Sequence, residues 1–85
     1  MVVAKAVVIL PAAAKSLRRH RSEAGRILEK IEVYALDPAS QANSVKKLVG
    51  STALRLRVGD FRVVFEETET EIIVTRIGPR GSVYD

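Results

Sequence analysis

Cysteine and tryptophan are absent from the chain, and histidine occurs once, at His20. Without thiols there is no disulfide framework and no thiolate metal site, and a reducing cytoplasm is the expected location. A single imidazole excludes a histidine-based metal site or catalytic triad, so neither metal nor cofactor is expected. Long apolar runs are also missing. Residues 6–10 form a run of five behind which Ala12-Ala13-Ala14 resembles a signal-peptidase site, but the run is shorter than the ~7–15 residues of a secretory h-region. Nothing approaches the ~18–20 apolar residues that span a bilayer, so no membrane association is expected. The 85 residues suit a single domain, residues 1–85, and 47% hydrophobic with 28% charged residues suits an ordinary globular one. The net charge of +4 favours polyanionic partners such as RNA, DNA or an acidic protein segment.

Residues 2–10 are rich in Val and Ile and read as a strand. Pro11 stops it and can occupy the first turn of a helix beginning near Ala12 and running to His20, through Ala, Lys, Leu and Arg. Ser22 is the expected N-cap of a second helix. In that helix Ala24, Ile27, Leu28, Ile31, Tyr34 and Ala35 recur at three- and four-residue spacings, as one apolar stripe requires, and Asp37-Pro38 ends it. A long connection follows over residues 37–53, with a short helical turn expected around 45–48. Residues 54–58, Leu-Arg-Leu-Arg-Val, alternate with period two as a half-buried strand must. Gly59-Asp60 then predicts a two-residue type II′ hairpin loop, because Gly occupies the first central position. Residues 61–65 return, 66–71 make an acidic turn, and 72–77 form a last strand before Gly78-Pro79. The expected fold is α+β: β-α-α-β-β-β, a helical hairpin packed on one face of a mostly antiparallel four-stranded sheet.

The turn fixes the hairpin register. With Gly59 and Asp60 as loop residues, Val58 faces Phe61, Arg57 faces Arg62, Leu56 faces Val63 and Arg55 faces Val64. Arg55, Arg57, Arg62 and Val64 then share one face, while Leu54, Leu56, Val58, Phe61, Val63 and Phe65 share the other, the expected core side. Two arginines directly across strands are locally unfavourable. The last strand returns toward the Gly59-Asp60 end, which brings Arg80 and Tyr84 to the same place and leaves Glu66, Glu67, Glu69 and Glu71 at the far end. Cations gathered at one end make an anion site, and the planar guanidinium suits phosphate because it donates two parallel hydrogen bonds. The remaining candidates are less specific. His20 suits a helix end, Tyr34 the end of the core stripe, and Asp60 a turn acceptor. Arg76 is left between the cationic face and an ion pair.

Residues 54–65, LRLRVGDFRVVF, followed by 77–84, IGPRGSVY, resemble the C-terminal half of RelE/ParE toxins, and Lys46-Lys47-Leu48-Val49-Gly50 resembles the basic Lys-Leu-x-Gly segment that precedes it. The upstream β-α-α order agrees, so the resemblance covers nearly the whole chain. It implies the toxin of a toxin–antitoxin system, of the kind that cleaves mRNA in the ribosomal A site by attack of a ribose 2′-OH on the adjacent phosphate. On this resemblance Arg57, Arg62, Arg80 and Tyr84 carry the catalysis, with Arg62 at the reacting phosphate, and Arg55, Lys46 and Lys47 bind RNA. Both basic positions of the first hairpin strand are arginine, which stays protonated, whereas well-studied RelE-type nucleases carry lysine. Arg57 therefore suits charge stabilisation, with Tyr84, solvent or no group as base. The implied partners are a cognate antitoxin, the ribosome with its mRNA, and a toxin–antitoxin hetero-oligomer that binds operator DNA through the antitoxin. The alternatives are a ParE-like toxin that inhibits DNA gyrase without cutting RNA, or a degenerate member that only binds antitoxin or operator DNA.

Overall fold

The computed structural model describes residues 4–82. Strand β1 (Ala6–Ile9) leads into helix α1 (Pro11–Arg19) and helix α2 (Arg21–Leu36). A 3₁₀ helix (Pro38–Ser44) precedes β2 (Val45–Lys47), β3 (Leu54–Val58), β4 (Phe61–Glu67) and β5 (Glu71–Pro79). The sheet is five-stranded, in the order β1-β5-β4-β3-β2. All neighbours are antiparallel except β1, which runs parallel to β5. The expected α+β layering is therefore present with one strand more. β2 replaces the helical turn expected at 45–48, and the helical turn lies earlier, at 38–44. Val45 pairs with Leu56 across the sheet, and β3 gains a partner that three residues of weak periodicity could not announce.

Pro11 opens α1 as its fixed φ allows. The break between the helices falls at His20, whose φ of −116° and ψ of 59° leave the helical region. α2 therefore begins at Arg21, and Ser22 lies inside its first turn rather than capping it. The N–H of Glu23 donates instead to the His20 carbonyl, 3.0 Å away. The stripe of α2 buries Ile27, Ile31, Tyr34 and Ala35 against Leu56, Val63, Phe65, Ile72 and Val74. Leu28 stays on the rim, 37% exposed. No helix among the described residues is long and apolar enough to cross a membrane.

A bulge between Val64 and Phe65 sets the chemistry of β5. Val64 faces Arg76 while Phe65 faces Val74, so Thr75 is the extra residue. Its hydroxyl donates to the Val64 carbonyl, 3.2 Å away. Strict alternation from Ile72 and Val74 would send the side chain at 76 into the core. The extra residue reverses the parity, so Ile77 is buried and Arg76 faces outward, which is how bulges re-aim side chains.

Candidate nucleic-acid interface

The hairpin register is the one the turn predicts: Val58 faces Phe61, Arg57 faces Arg62, Leu56 faces Val63 and Arg55 faces Val64. Gly59 has φ of +57° and, among the described residues, no non-glycine residue has positive φ, Asp60 included, the pattern a type II′ turn requires. Directly paired residues share a face, so the full register lays two rows across the side of the sheet remote from the helices. One row runs Lys46, Arg55, Val64, Arg76. The next runs Arg57, Arg62, Gly78. Lys46, Arg57 and Arg76 are exposed and Arg55 is half-buried. Lys47 pairs with Leu54 and so belongs to the opposite face at the sheet edge; the structure does not bring it into the cluster.

Arg62 departs from expectation. A position on the polar face was expected to be exposed, yet Arg62 is only 7% exposed. Its Nη1 donates to the Gly59 carbonyl at 3.0 Å and to the Phe61 carbonyl at 3.1 Å. The guanidinium folds back on its own turn, so its charge is shared with two carbonyl dipoles instead of standing free opposite Arg57. That resolves the unfavourable pairing and makes Arg62 a brace for the loop.

The far end of β5 reaches this turn. Phe61 faces Pro79, and the Arg80 N–H donates to the Asp60 carbonyl at 2.7 Å. Arg80 is exposed, and beyond it Gly81 adopts φ of +88° while Ser82 bonds the Pro79 carbonyl through its N–H and its hydroxyl. Tyr84 lies outside the described residues. Two further residues steady the turn from the helical side. Arg26 of α2 approaches Gly59 so closely that an added Cβ would sit 3.0 Å from its Nη2. The His20 ring packs edge-on against Phe61, with centroids 5.0 Å apart. His20 is thus a packing residue at the break between the helices.

Glu66, Glu67, Glu69 and Glu71 lie at the other end, as expected. Glu66 accepts from Thr52, and Glu67 accepts from the Tyr34 hydroxyl at 2.6 Å and from Lys5 at 2.7 Å. Burial alone would raise the Glu67 carboxyl, but the hydrogen bonds from Lys5 and Tyr34 outweigh it and hold the group below its ordinary range. Burial, then the bond to Glu67, raises the Tyr34 hydroxyl. Both effects are structural, since this cluster is at the end of β4 opposite the Gly59-Asp60 turn. Arg76, which the sequence left between the cationic face and an ion pair, lies in the row with Lys46 and Arg55. The signal for that placement was the three-residue spacing of Val74 and Ile77, which no regular strand can bury on one side.

A helical hairpin on a mostly antiparallel sheet whose opposite face is cationic defines a toxin of the RelE/ParE superfamily. The family described as ParE toxin of type II toxin–antitoxin system, parDE, matches residues 7–84, and the chain belongs to that family. Among solved structures, the archaeal RelE–RelB complex from Pyrococcus horikoshii OT3 is 25% identical with a TM-score of 0.75, over 95% of this chain and 100% of the other. The RelB–RelE antitoxin–toxin complex from Methanococcus jannaschii is 26% identical with a TM-score of 0.60, over 92% and 95% of the two chains. YafQ from E. coli strain BL21(DE3), 12% identical with a TM-score of 0.65 over 95% and 99%, shares the fold. No curated protein matches the chain by sequence with significance.

Proposed function

We propose that this toxin is a ribosome-dependent mRNA endonuclease. The observation that carries the reading is the two-row cationic face, with Arg80 tied to the turn below it through the Asp60 carbonyl. The 2′-oxygen of one ribose attacks the adjacent phosphorus, a 2′,3′-cyclic phosphate forms, and the 5′-oxygen leaves with the proton the 2′-oxygen gives up. Negative charge grows on the phosphoryl oxygens, and preorganised cations stabilise it. Arg57 and Arg80 are exposed and reach that charge directly, while Arg62 holds the loop and adds positive charge at its floor. Tyr84 stacks on an unpaired base or takes the proton, and Lys46 and Arg55 track the backbone; Lys47, on the other face, is assigned at most a peripheral contact. The described site contains no carboxylate or imidazole poised as an acid–base pair, so the ribosome must supply the alignment of the strand. Proper orientation can contribute ~7–11 kcal/mol of a barrier.

A cognate antitoxin whose acidic segment folds over this face is the silencing partner in this reading, and the toxin–antitoxin complexes of the two archaeal RelE proteins support it. Such a complex binds operator DNA through the antitoxin. The toxin works in the cytoplasm, where its targets are. The match to the ParE family favours a second reading, inhibition of DNA gyrase without RNA cleavage. Adding purified chain to a translating extract and mapping mRNA ends by primer extension tests the first reading. New ends within codons are expected, and an intact message with translation arrested or unaffected would remove the nuclease assignment.

A further inference from the structure

β1 covers β5 only along Glu71 to Val74. The Leu10 N–H makes a last bond to the Val74 carbonyl, and Pro11 then turns the chain off the sheet edge into α1. The rest of β5 therefore has α1 beside it instead of a strand, and an open groove of about 410 Å³ lies between them. Ala12, Lys15, Ser16 and Arg19 line it from the helix, one face at spacings of three and four. The opposite side of α1 is fixed by Ala13, fully buried, and Leu17, which packs on the core. Arg76 and Ser82 line the groove from the strand side, and no carboxylate does. Lys15 and Arg19 are exposed and make no ion pair among the described residues.

We propose that this groove binds the phosphodiester backbone of single-stranded RNA and continues the track from the cationic sheet face around the β5 edge. Arg76 joins the two, since it stands in the row with Lys46 and Arg55 and also lines the groove. The edge is poorly suited to an added peptide strand, because Pro79 offers no N–H to a ladder. Backbone phosphates need only cations and hydroxyls at the right places, which Lys15, Arg19, Arg76, Ser16 and Ser82 provide. The inference rests on the RNA-directed reading of the sheet face, but its test measures binding and not cleavage.

The test titrates a fluorescent oligouridylate with the full chain over a range of salt, following anisotropy, for the wild type and for Lys15→Ala/Arg19→Ala. Removing two phosphate contacts should make the slope of log affinity against log salt shallower by about 1.4, a loss of roughly 20-fold at 0.1 M salt. Arg18→Ala/Arg21→Ala removes the same charge from exposed positions outside the groove and should keep most of the wild-type slope. Circular dichroism checks that each variant is folded, and Lys15→Gln/Arg19→Gln repeats the test with longer side chains. Unchanged affinity and slope in a folded groove variant would overturn the proposal. So would an equal loss in the Arg18/Arg21 variant, which would mean only net charge matters, or a wild type that binds an acidic peptide but no RNA. A groove variant that loses RNA binding while ribosome-bound mRNA is never cut by any form would sustain the groove and sink the nuclease reading.

Discussion

Arg62 and Arg80 both belong to the arginine cluster, yet they are held in opposite ways, and their substitutions should separate. Arg62 is buried with two carbonyl acceptors, so Arg62→Ala leaves the Gly59 and Phe61 carbonyls without that donor and removes a brace. We expect it to abolish growth inhibition and also to cost about 1–3 kcal/mol in urea unfolding. Arg80 is exposed, and the backbone N–H bond that ties it to the Asp60 carbonyl survives a change of side chain. Arg80→Ala should abolish growth inhibition while stability stays within about 0.5 kcal/mol of wild type. An Arg62→Ala protein as stable as wild type would refute the brace. Alternation identified which face Arg62 occupies, because side chains in a strand repeat every two residues. It could not give burial, because a guanidinium long enough to reach water is also long enough to fold back onto its own turn.

At the scale of elements, the hairpin turn and the acidic end can be tested separately. Gly59 combines φ of +57° with the close approach of Arg26, so Gly59→Ala should destabilise the chain by about 1–2 kcal/mol, read as a lower urea midpoint with an unchanged slope. A midpoint equal to wild type would mean the turn relaxes freely. At the other end Glu67 ties the start of β1 to α2 through Lys5 and Tyr34. Its carboxyl titrates below its ordinary value near 4.5 when folded. The contribution is therefore complete above that pH and is lost as pH falls through the folded value. Thermal melts should show the wild type losing stability on acidification below about pH 4.5 more steeply than Glu67→Gln; parallel curves would leave the cluster without a role in stability. The hairpin was legible because Gly59-Asp60 and the alternating arginines specify turn and register together. β2 was not, since Val45-Lys46-Lys47 is too short to show a period and becomes a strand only by pairing with β3. The bulge at Thr75 was written in the spacing of Val74 and Ile77, but only the pairing with β4 locates it.

Across the described residues, cations occupy the outer sheet face and line the α1 groove, while Glu66, Glu67, Glu69 and Glu71 surround the β4–β5 turn. A small domain with its charge divided in this way presents one surface to a polyanion and keeps the other for its own stability. The architecture was legible from the order of elements and the hairpin alternation, and the family assignment agrees with it. The target was not, because a cationic face recognises phosphate in general, and both rival readings use the same fold. The most direct measurement compares three substrates under the same conditions: naked mRNA, the same mRNA held with its codon in the ribosomal A site, and plasmid DNA with gyrase. The account predicts rapid cleavage on the ribosome, almost none in free RNA, unaffected supercoiling, and loss of cleavage in Arg57→Ala and Arg80→Ala. Intact ribosome-bound mRNA at a concentration that stops supercoiling would contradict it.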